Sequence, residues 1–487
     1  MNSIILFILI PIGVAAVMPL VAKLWRGLCD IFASLTAAVL FAFGIGIMGY
    51  VNQGGLITLN FGTVLPFSAL NLRLDSFSLI MLLVISLISF FALIFSFDYI
   101  NHYGYKPGFY GLFMVMIAGM NGVVLAADLF NLYLFLEVAA AASFALVAYG
   151  LRHEELEAAF KYLVLSAVAT AFILLAIALI YTMTGSLTMT VVAQSLAAAG
   201  TNKALLFTVI LFIVGFGLKA AMVPFHAWLP DAHPSAPAPI SAMLSGVVIK
   251  VSGIYALMRI VFNVIGITPT ISQTLMAFGM LSMVVGAVMA SVQTDFKRLL
   301  AYSSISQIGY ILLGFGLATP LGILGAIYHM MNHATFKGLL FLTAGSTEYS
   351  TGTRDLKRMG GLTQRMPVTG SSVTVGSLAI AGVPPLNGFF SKLIIIIAAI
   401  EAHYYIYAVI AVLISLVTLG YFLKVNRYAF FGKIVEEFKA IKEVPLSMAI
   451  STAVLALLCI AFGICYPILS KVILQPAANV LLSGRFF

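Results

Sequence analysis

The chain has 487 residues, 62% of them hydrophobic and 8% charged, with a formal net charge of +9. Water-soluble domains carry about 25% charged residues, so this composition, with a mean hydropathy of +1.12, excludes a soluble globular fold. The basic balance does not call for nucleic acid, because cytoplasmic loops of membrane proteins collect Lys and Arg.

Bare polar backbone is not tolerated in hydrocarbon, so spans are helices or a closed barrel. Leu79–Phe97 and Tyr404–Phe422 are uncharged and lack the alternation of barrel strands. Both approach the ~20 residues of a spanning helix. The reading is an all-α polytopic membrane protein with about fourteen transmembrane helices. In chain order these lie near 3–22, 30–50, 76–97, 109–127, 128–149, 160–183, 204–225, 239–262, 270–291, 299–317, 322–345, 370–397, 404–424 and 448–470. Ile4–Leu20 reads as a first span and not a cleavable signal, since no basic segment precedes it. Residues 1–487 form a single membrane domain, and the longest polar connections, near 51–75, 184–203, 346–369 and 425–447, read as short loops.

Two spans look broken. KAAMVPFHAWLPDAHPSAPAP at 219–239 holds five prolines, and GVPPLNGFFSK at 382–392 holds Pro384, Pro385 and Gly388. Proline removes a helix donor and clashes with the preceding turn. Such breaks survive at membrane depth only where protein or water satisfies the freed backbone. The first reads equally as a span end followed by a loop, whereas the second interrupts an apolar stretch. Their spacing suggests an inverted repeat, a common transporter arrangement.

Loop charges test the orientation. With the N-terminus outside, inside loops hold Lys23, Arg26, Lys106, Arg152, Lys161, Lys297, Arg298, Arg354, Lys357, Arg358, Arg365, Lys424, Arg427, Lys433, Lys439 and Lys442. The outside holds Arg73, Lys203, Arg259, Lys471 and Arg485. That asymmetry supports an even span count with both termini outside.

Among the acidic residues only Glu137 falls well inside a span, and Lys219, Lys250, Lys337 and Lys392 do likewise. His329, His333 and Lys337 follow at i, i+4 and i+8, so they share one helix face. A charge at the bilayer centre costs about 2.5–3.5 kcal/mol even on lenient scales, and such residues mark ion pathways by default. Burial disfavours the charged form of acid and base alike, which suits proton exchange. The set therefore reads as a proton path in which Glu137 tunes Lys219. Plainer readings stand beside it. Glu137 and Lys219 would form a structural ion pair, Lys250 would snorkel to an interface, and His329 and His333 would pack helices or hold a metal. His226 and His233 read equally as relay or loop residues. Asp75, Asp128, Glu401, Arg152 and Arg259 lie near span ends, where interfacial anchoring competes with function. Cys29, Cys459 and Cys465 form no disulfide framework or metal cluster motif.

The motifs DLFNLYLFLE, EAAFKYL, GLKAAMVPFHAWLPDAHPSAP, DFKRLLAYSSISQIGY, HMMNHATFKGLLFLTAG and GVPPLNGFFSK, in this order over roughly 70–430, resemble a known family. It is that of the antiporter-like membrane subunits shared by respiratory complex I, Mrp-type sodium/proton antiporters and membrane-bound hydrogenases. The resemblance implies two inverted five-helix repeats, 109–262 and 270–424, each with a broken helix. It also implies sister membrane subunits in a larger complex, embedded in the lipid bilayer of the cell membrane. Glu137 resembles the family's glutamate, Lys219 its broken-helix partner, and Lys250 the next central lysine. His329, His333 and Lys337 resemble the central row, and Lys392 its terminal lysine. The chain ends soon after its last expected span, as in the shorter, interior type of subunit.

The function expected is proton translocation within a multi-subunit, redox-driven complex of the complex I or hydrogenase type. The chain is expected to hold no catalytic site, cofactor or metal, and to bind no nucleic acid. Sodium/proton exchange in an Mrp-type assembly, an independent solute transporter and a structural subunit with vestigial charges are the rivals. The intact Glu137 and four lysines weigh against the last.

Overall fold

The computed structural model describes residues 2–24, 27–65 and 68–484. Arg26 and Arg485, counted above as loop charges, lie outside the described residues. The helices are α1 Leu6–Leu24, α2 Gly27–Asn52, α3 Ser76–Tyr99, α4 Lys106–Leu125, α5 Leu129–Val147, α6 His153–Thr184, α7 Met189–Ala199, α8 Lys203–Ala220 and α9 Leu229–Ser235. They continue as α10 Ala238–Ile265, α11 Pro269–Val292, α12 Phe296–Gly316, α13 Pro320–Thr351, α14 Pro367–Ala381, α15 Asn387–Glu401, α16 Tyr405–Phe430 and α17 Leu446–Ile464.

Among the described residues, 12 helices are long and apolar enough to cross a membrane. The two other expected spans fall on α13 and on the pair α14 and α15. The first is 32 residues long but lowered in hydropathy by His329, Asn332, His333 and Lys337. The other two are 15 residues each and separated by a break.

Two stretches read as loops are ordered. Residues 51–75 contain an antiparallel hairpin, β1 Ile57–Leu65 and β2 Ser68–Leu74, with Ile57 opposite Leu74 and Leu59 opposite Leu72. These four side chains are buried, the period-2 pattern of a strand with one face inward. In the 184–203 connection, α7 buries Met189, Val192, Ala193 and Leu196, the i, i+3, i+4, i+7 stripe of a surface helix.

The bundle is arranged with its polar helices at the centre. The most apolar windows of α10 and α12 are 100% buried, against 28% for the first span. Yet α12 carries Ser303, Ser304, Ser306 and Gln307, all 0% exposed. Lipid solvates apolar side chains as well as protein does, so the hydroxyls and amides are the groups driven inward.

Two regions follow one backbone plan. Asp128 caps α5 by accepting from the N–H groups of Phe130 and Asn131, and Asp295 caps α12 by accepting from that of Arg298. The helices α6 and α13 both have 32 residues and both end on a left-handed glycine, Gly185 and Gly352 (φ 69° each). Beyond each glycine the chain bridges back to the capping aspartate, Thr188 to Asp128 and Asp355 to Asp295. Leu129 N–H donates to Leu187 O at 2.9 Å and Phe296 N–H to Arg354 O at 3.0 Å. Every equivalent pair is separated by the same number of residues.

Both proline-rich segments are true breaks. The helix α8 stops at Ala220, Ala221 is left-handed (φ 54°), and the chain turns before α9; Trp228 Nε1 donates to the Leu218 carbonyl at 2.9 Å. In the second, α14 stops at Ala381, Gly382 is left-handed (φ 88°), and α15 starts at Asn387. A Cβ on Gly388 would lie 1.8 Å from the Ala379 carbonyl oxygen, so only glycine lets the two half-helices meet.

Candidate ion-conducting site

Lys219 lies in the last turn of α8, 4% exposed, and its ammonium donates to the Ser166 hydroxyl on α6. Glu137, on α5, is half-buried and its Oε1 has no hydrogen-bond partner. Among the described residues the two make no ion pair within 4.0 Å. The expected Glu137–Lys219 contact is therefore open in this structure, and the hydroxyl of Ser166 takes the lysine instead.

The next lysine, Lys250, is fully buried and does not snorkel. It sits in a π-helical stretch of α10 and donates to the carbonyls of Ser245 (2.5 Å) and Gly246 (2.7 Å). Widening a helical turn displaces the usual i→i−4 partners, and the ammonium takes up the carbonyls one turn back. Close packing sets its distance from the first break: a Cβ on Gly253 would fall 2.5 Å from Ala220 Cβ.

His329, His333 and Lys337 all lie fully buried on α13. His329 Nε2 is 3.1 Å from Gln307 Oε1 and Nδ1 is 2.9 Å from Ser391 Oγ. A carbonyl oxygen only accepts, so Nε2 donates to Gln307, while the Ser391 hydroxyl beside Nδ1 also reaches the Asn387 and Gly388 carbonyls. His333 is fully buried, with both ring nitrogens unpartnered and its ring edge-on to Phe336. Lys337 donates to the Leu300 carbonyl at 2.7 Å and to the Ser303 hydroxyl, and lies 5.7 Å from the Phe341 ring centre. At the second break, Lys392 on α15 donates to the Ile380 carbonyl at 2.8 Å, a group freed where α14 stops, and lies 4.7 Å over Tyr310.

Lys219, Lys250, Lys337 and Lys392 are thus held by carbonyls and hydroxyls, with no carboxylate within ion-pair distance among the described residues. No group of three or more His, Cys, Asp or Glu suited to a metal occurs among the described residues. The histidines at 329 and 333 instead sit between Gln307 and the second break.

Several contributors escaped the sequence reading. Ser166, Ser303, Gln307 and Ser391 hold the titratable groups, but short polar side chains give no hydropathy signal. His233, left open between relay and loop, is 0% exposed on α9 and stacks on Phe341 at 4.6 Å, the ring that Lys337 also faces. His226 is half-buried beside the first break. Arg259 is no interfacial anchor: it is 4% exposed, paired with Asp75, and donates to Tyr255 Oη at 2.9 Å.

A helical bundle with a polar centre, two broken helices and a chain of buried lysines and histidines between them has the form of an antiporter-like membrane subunit. Comparison with known proteins agrees. The family described as NADH:quinone oxidoreductase/Mrp antiporter, TM, matches residues 126–418, and the N-terminal family of complex I chain 5 matches residues 67–110. The chain is 36% identical over 433 residues to the D-type component of the Na(+)/H(+) antiporter of Alkalihalophilus pseudofirmus, covering 89% of this chain and 87% of that protein. It is 37% identical over 357 residues to the N-type component of the NADH-quinone oxidoreductase of Desulforudis audaxviator, covering 71% and 70%. One protein of the Mrp complex from Dietzia sp. DQ12-45-1b superposes with a TM-score of 0.90 at 27% identity, covering 99% of this chain and 98% of that one. The protein belongs to the NADH:quinone oxidoreductase/Mrp antiporter family of integral membrane subunits.

Proposed function

We propose that this chain conducts protons along a buried row that starts at Glu137 and Lys219, passes Lys250 and the His329, His333 and Lys337 group, and ends at Lys392. The observation that carries the reading is the way the lysines are held. Each ammonium is held by neutral carbonyls and hydroxyls, so giving up its proton strands no buried carboxylate. A sodium ion beyond Glu137 in the same row would meet the ammonium groups of Lys219, Lys250, Lys337 and Lys392 with no carboxylate paired to them among the described residues. Protons need only bases at hydrogen-bond reach, linked by water.

The shared backbone plan supports two inverted repeats, 109–262 and 270–424, with the row crossing between them. Glu137 lies half-buried on a face that also exposes Leu134 and Val138; a sister membrane subunit covering it would supply its missing partner. The loop-charge bias supports a cytoplasmic membrane location with both termini outside. In this reading any redox chemistry belongs to partner subunits, as in a complex I-type or hydrogenase assembly.

Replacing Lys219 or Lys392 with alanine in the assembled complex is expected to abolish proton uptake into inverted vesicles; normal uptake in both variants would sink the proposal. A second reading, part of an Mrp-type sodium/proton exchanger, is favoured by the 36% identity to a component of the Alkalihalophilus antiporter. Sodium-dependent proton release from vesicles lacking any electron donor would decide for it.

A further inference from the structure

We propose that Lys297, Glu348 and Arg354 form a charged gate between an aqueous antechamber at the cation-rich end of the bundle and the buried row; this rests on the proton-conduction reading above. A cavity of about 620 Å³ opens at that end, lined by Tyr103, Arg152, Glu155, Lys297, Glu348 and Arg354 among others. At its floor Lys297, with 2% of its side chain exposed, pairs with Glu348 Oε2 at 2.8 Å and donates to the Ala236 carbonyl at 3.3 Å. Arg354 Nε is 3.8 Å from Glu348 Oε1 and 3.1 Å from Asp295 Oδ2, and its guanidinium also donates to the Pro234 carbonyl. The three side chains thus join α12 and α13 to the link between α9 and α10. His233, a fully buried titratable group on α9 just before that link, has no hydrogen-bond partner at either ring nitrogen and shares the Phe341 ring with Lys337.

The molecule contains its own control for whether these charges are structural. In the other region with the same backbone plan, the positions of Lys297, Glu348 and Arg354 are held by Phe130, Tyr181 and Leu187. The aspartate cap, the backbone bridge and the left-handed glycine form there equally well. The plan therefore does not require a lysine, a glutamate and an arginine. Putting a lysine at 2% exposure is costly even when paired, and of the two equivalent positions, 130 and 297, only the one at the cavity carries it.

The step follows from the contacts. Glu348, facing the cavity, takes a proton from water and becomes neutral, which breaks its ion pair and leaves Lys297 held by the Ala236 carbonyl alone. The proton passes through water to a ring nitrogen of His233, regenerating the Glu348 carboxylate and re-forming the pair. A metal cation has no such step, because Lys297 stands in its way as a fixed positive charge.

The test imports the other region's residues: Lys297→Phe, Glu348→Tyr and Arg354→Leu together, in the assembled complex, beside the single variant Glu348→Gln. Co-purification of partner subunits and proton uptake into inverted vesicles are measured. Wild-type assembly with at least a tenfold loss of uptake in both variants is expected. Wild-type uptake in either overturns the gate, as does failure of the triple variant to assemble, since the charges would then be structural. Lys219→Ala run in parallel separates the two readings: normal uptake there refutes the row itself, whatever the gate variants do.

Discussion

At the scale of single residues, the deciding contrast is between two buried cations. Lys250 is held by carbonyls of its own helix and has no counter-charge within ion-pair distance among the described residues, whereas Arg259, one helical stretch further on, is fixed by Asp75, Ser78, Tyr255 and Asn263. The arginine also lies 5.1 Å from the Phe77 ring centre. A guanidinium cannot be deprotonated in this setting and needs its carboxylate; a lysine can change state. Arg259 therefore ties α3 to α10, and Lys250 is the one assigned to the proposed row. Asp75→Asn removes the carboxylate that Arg259 pairs with, a loss of about 3–5 kcal/mol for a broken buried pair. The expected outcome is a lower thermal midpoint and yield of the complex, with proton uptake per assembled complex unchanged. Selective loss of uptake at full stability would place Arg259 in the conducting path instead. Hydropathy exposed the row because Lys and Glu are costly inside a span. It did not expose Ser166, Gln307 or Asp75, because hydroxyls and amides are cheap there and Asp75 lies where a helix cap is ordinary.

At the scale of elements, the proposed path depends on the breaks, and they rest on backbone that is short of hydrogen-bond partners. Ending α14 at Ala381 frees the carbonyl that Lys392 takes up, and Gly388 keeps α15 against α14 so that the lysine reaches it. Any side chain at 388 collides with the Ala379 carbonyl, which as backbone has nowhere to go. Gly388→Val is expected to splay the half-helices and reduce proton uptake at least tenfold, whereas Gly420→Ala, where an added Cβ meets open space, is expected to leave uptake unchanged. Equal uptake in the two variants would mean that the half-helix contact does not position Lys392. The second break was legible because Pro384, Pro385 and Gly388 interrupt an apolar stretch, whereas the first read equally as a span end followed by a loop. The hairpin and α7 were missed. Each is a short amphipathic piece whose apolar stripe has meaning only against the bundle beneath it.

At the scale of the whole molecule, the gate faces the side from which protons enter only if the orientation read from the loops holds. The cavity, the Lys297–Glu348 pair and the cation-rich connections all lie at one end; the hairpin and the 466–482 segment lie at the other. Lys439 and Ser483 are exposed at opposite ends and serve as reporters. Cys29 and Cys459 are buried, so replacing the exposed Cys465 with serine gives a quiet background. In that background Ser483→Cys is expected to react with a membrane-impermeant thiol reagent in right-side-out vesicles and Lys439→Cys only in inverted ones. The reverse labelling would turn the molecule over. The antechamber would then be an outlet, and Glu348 would release protons arriving from the row where it is now assigned to admit them.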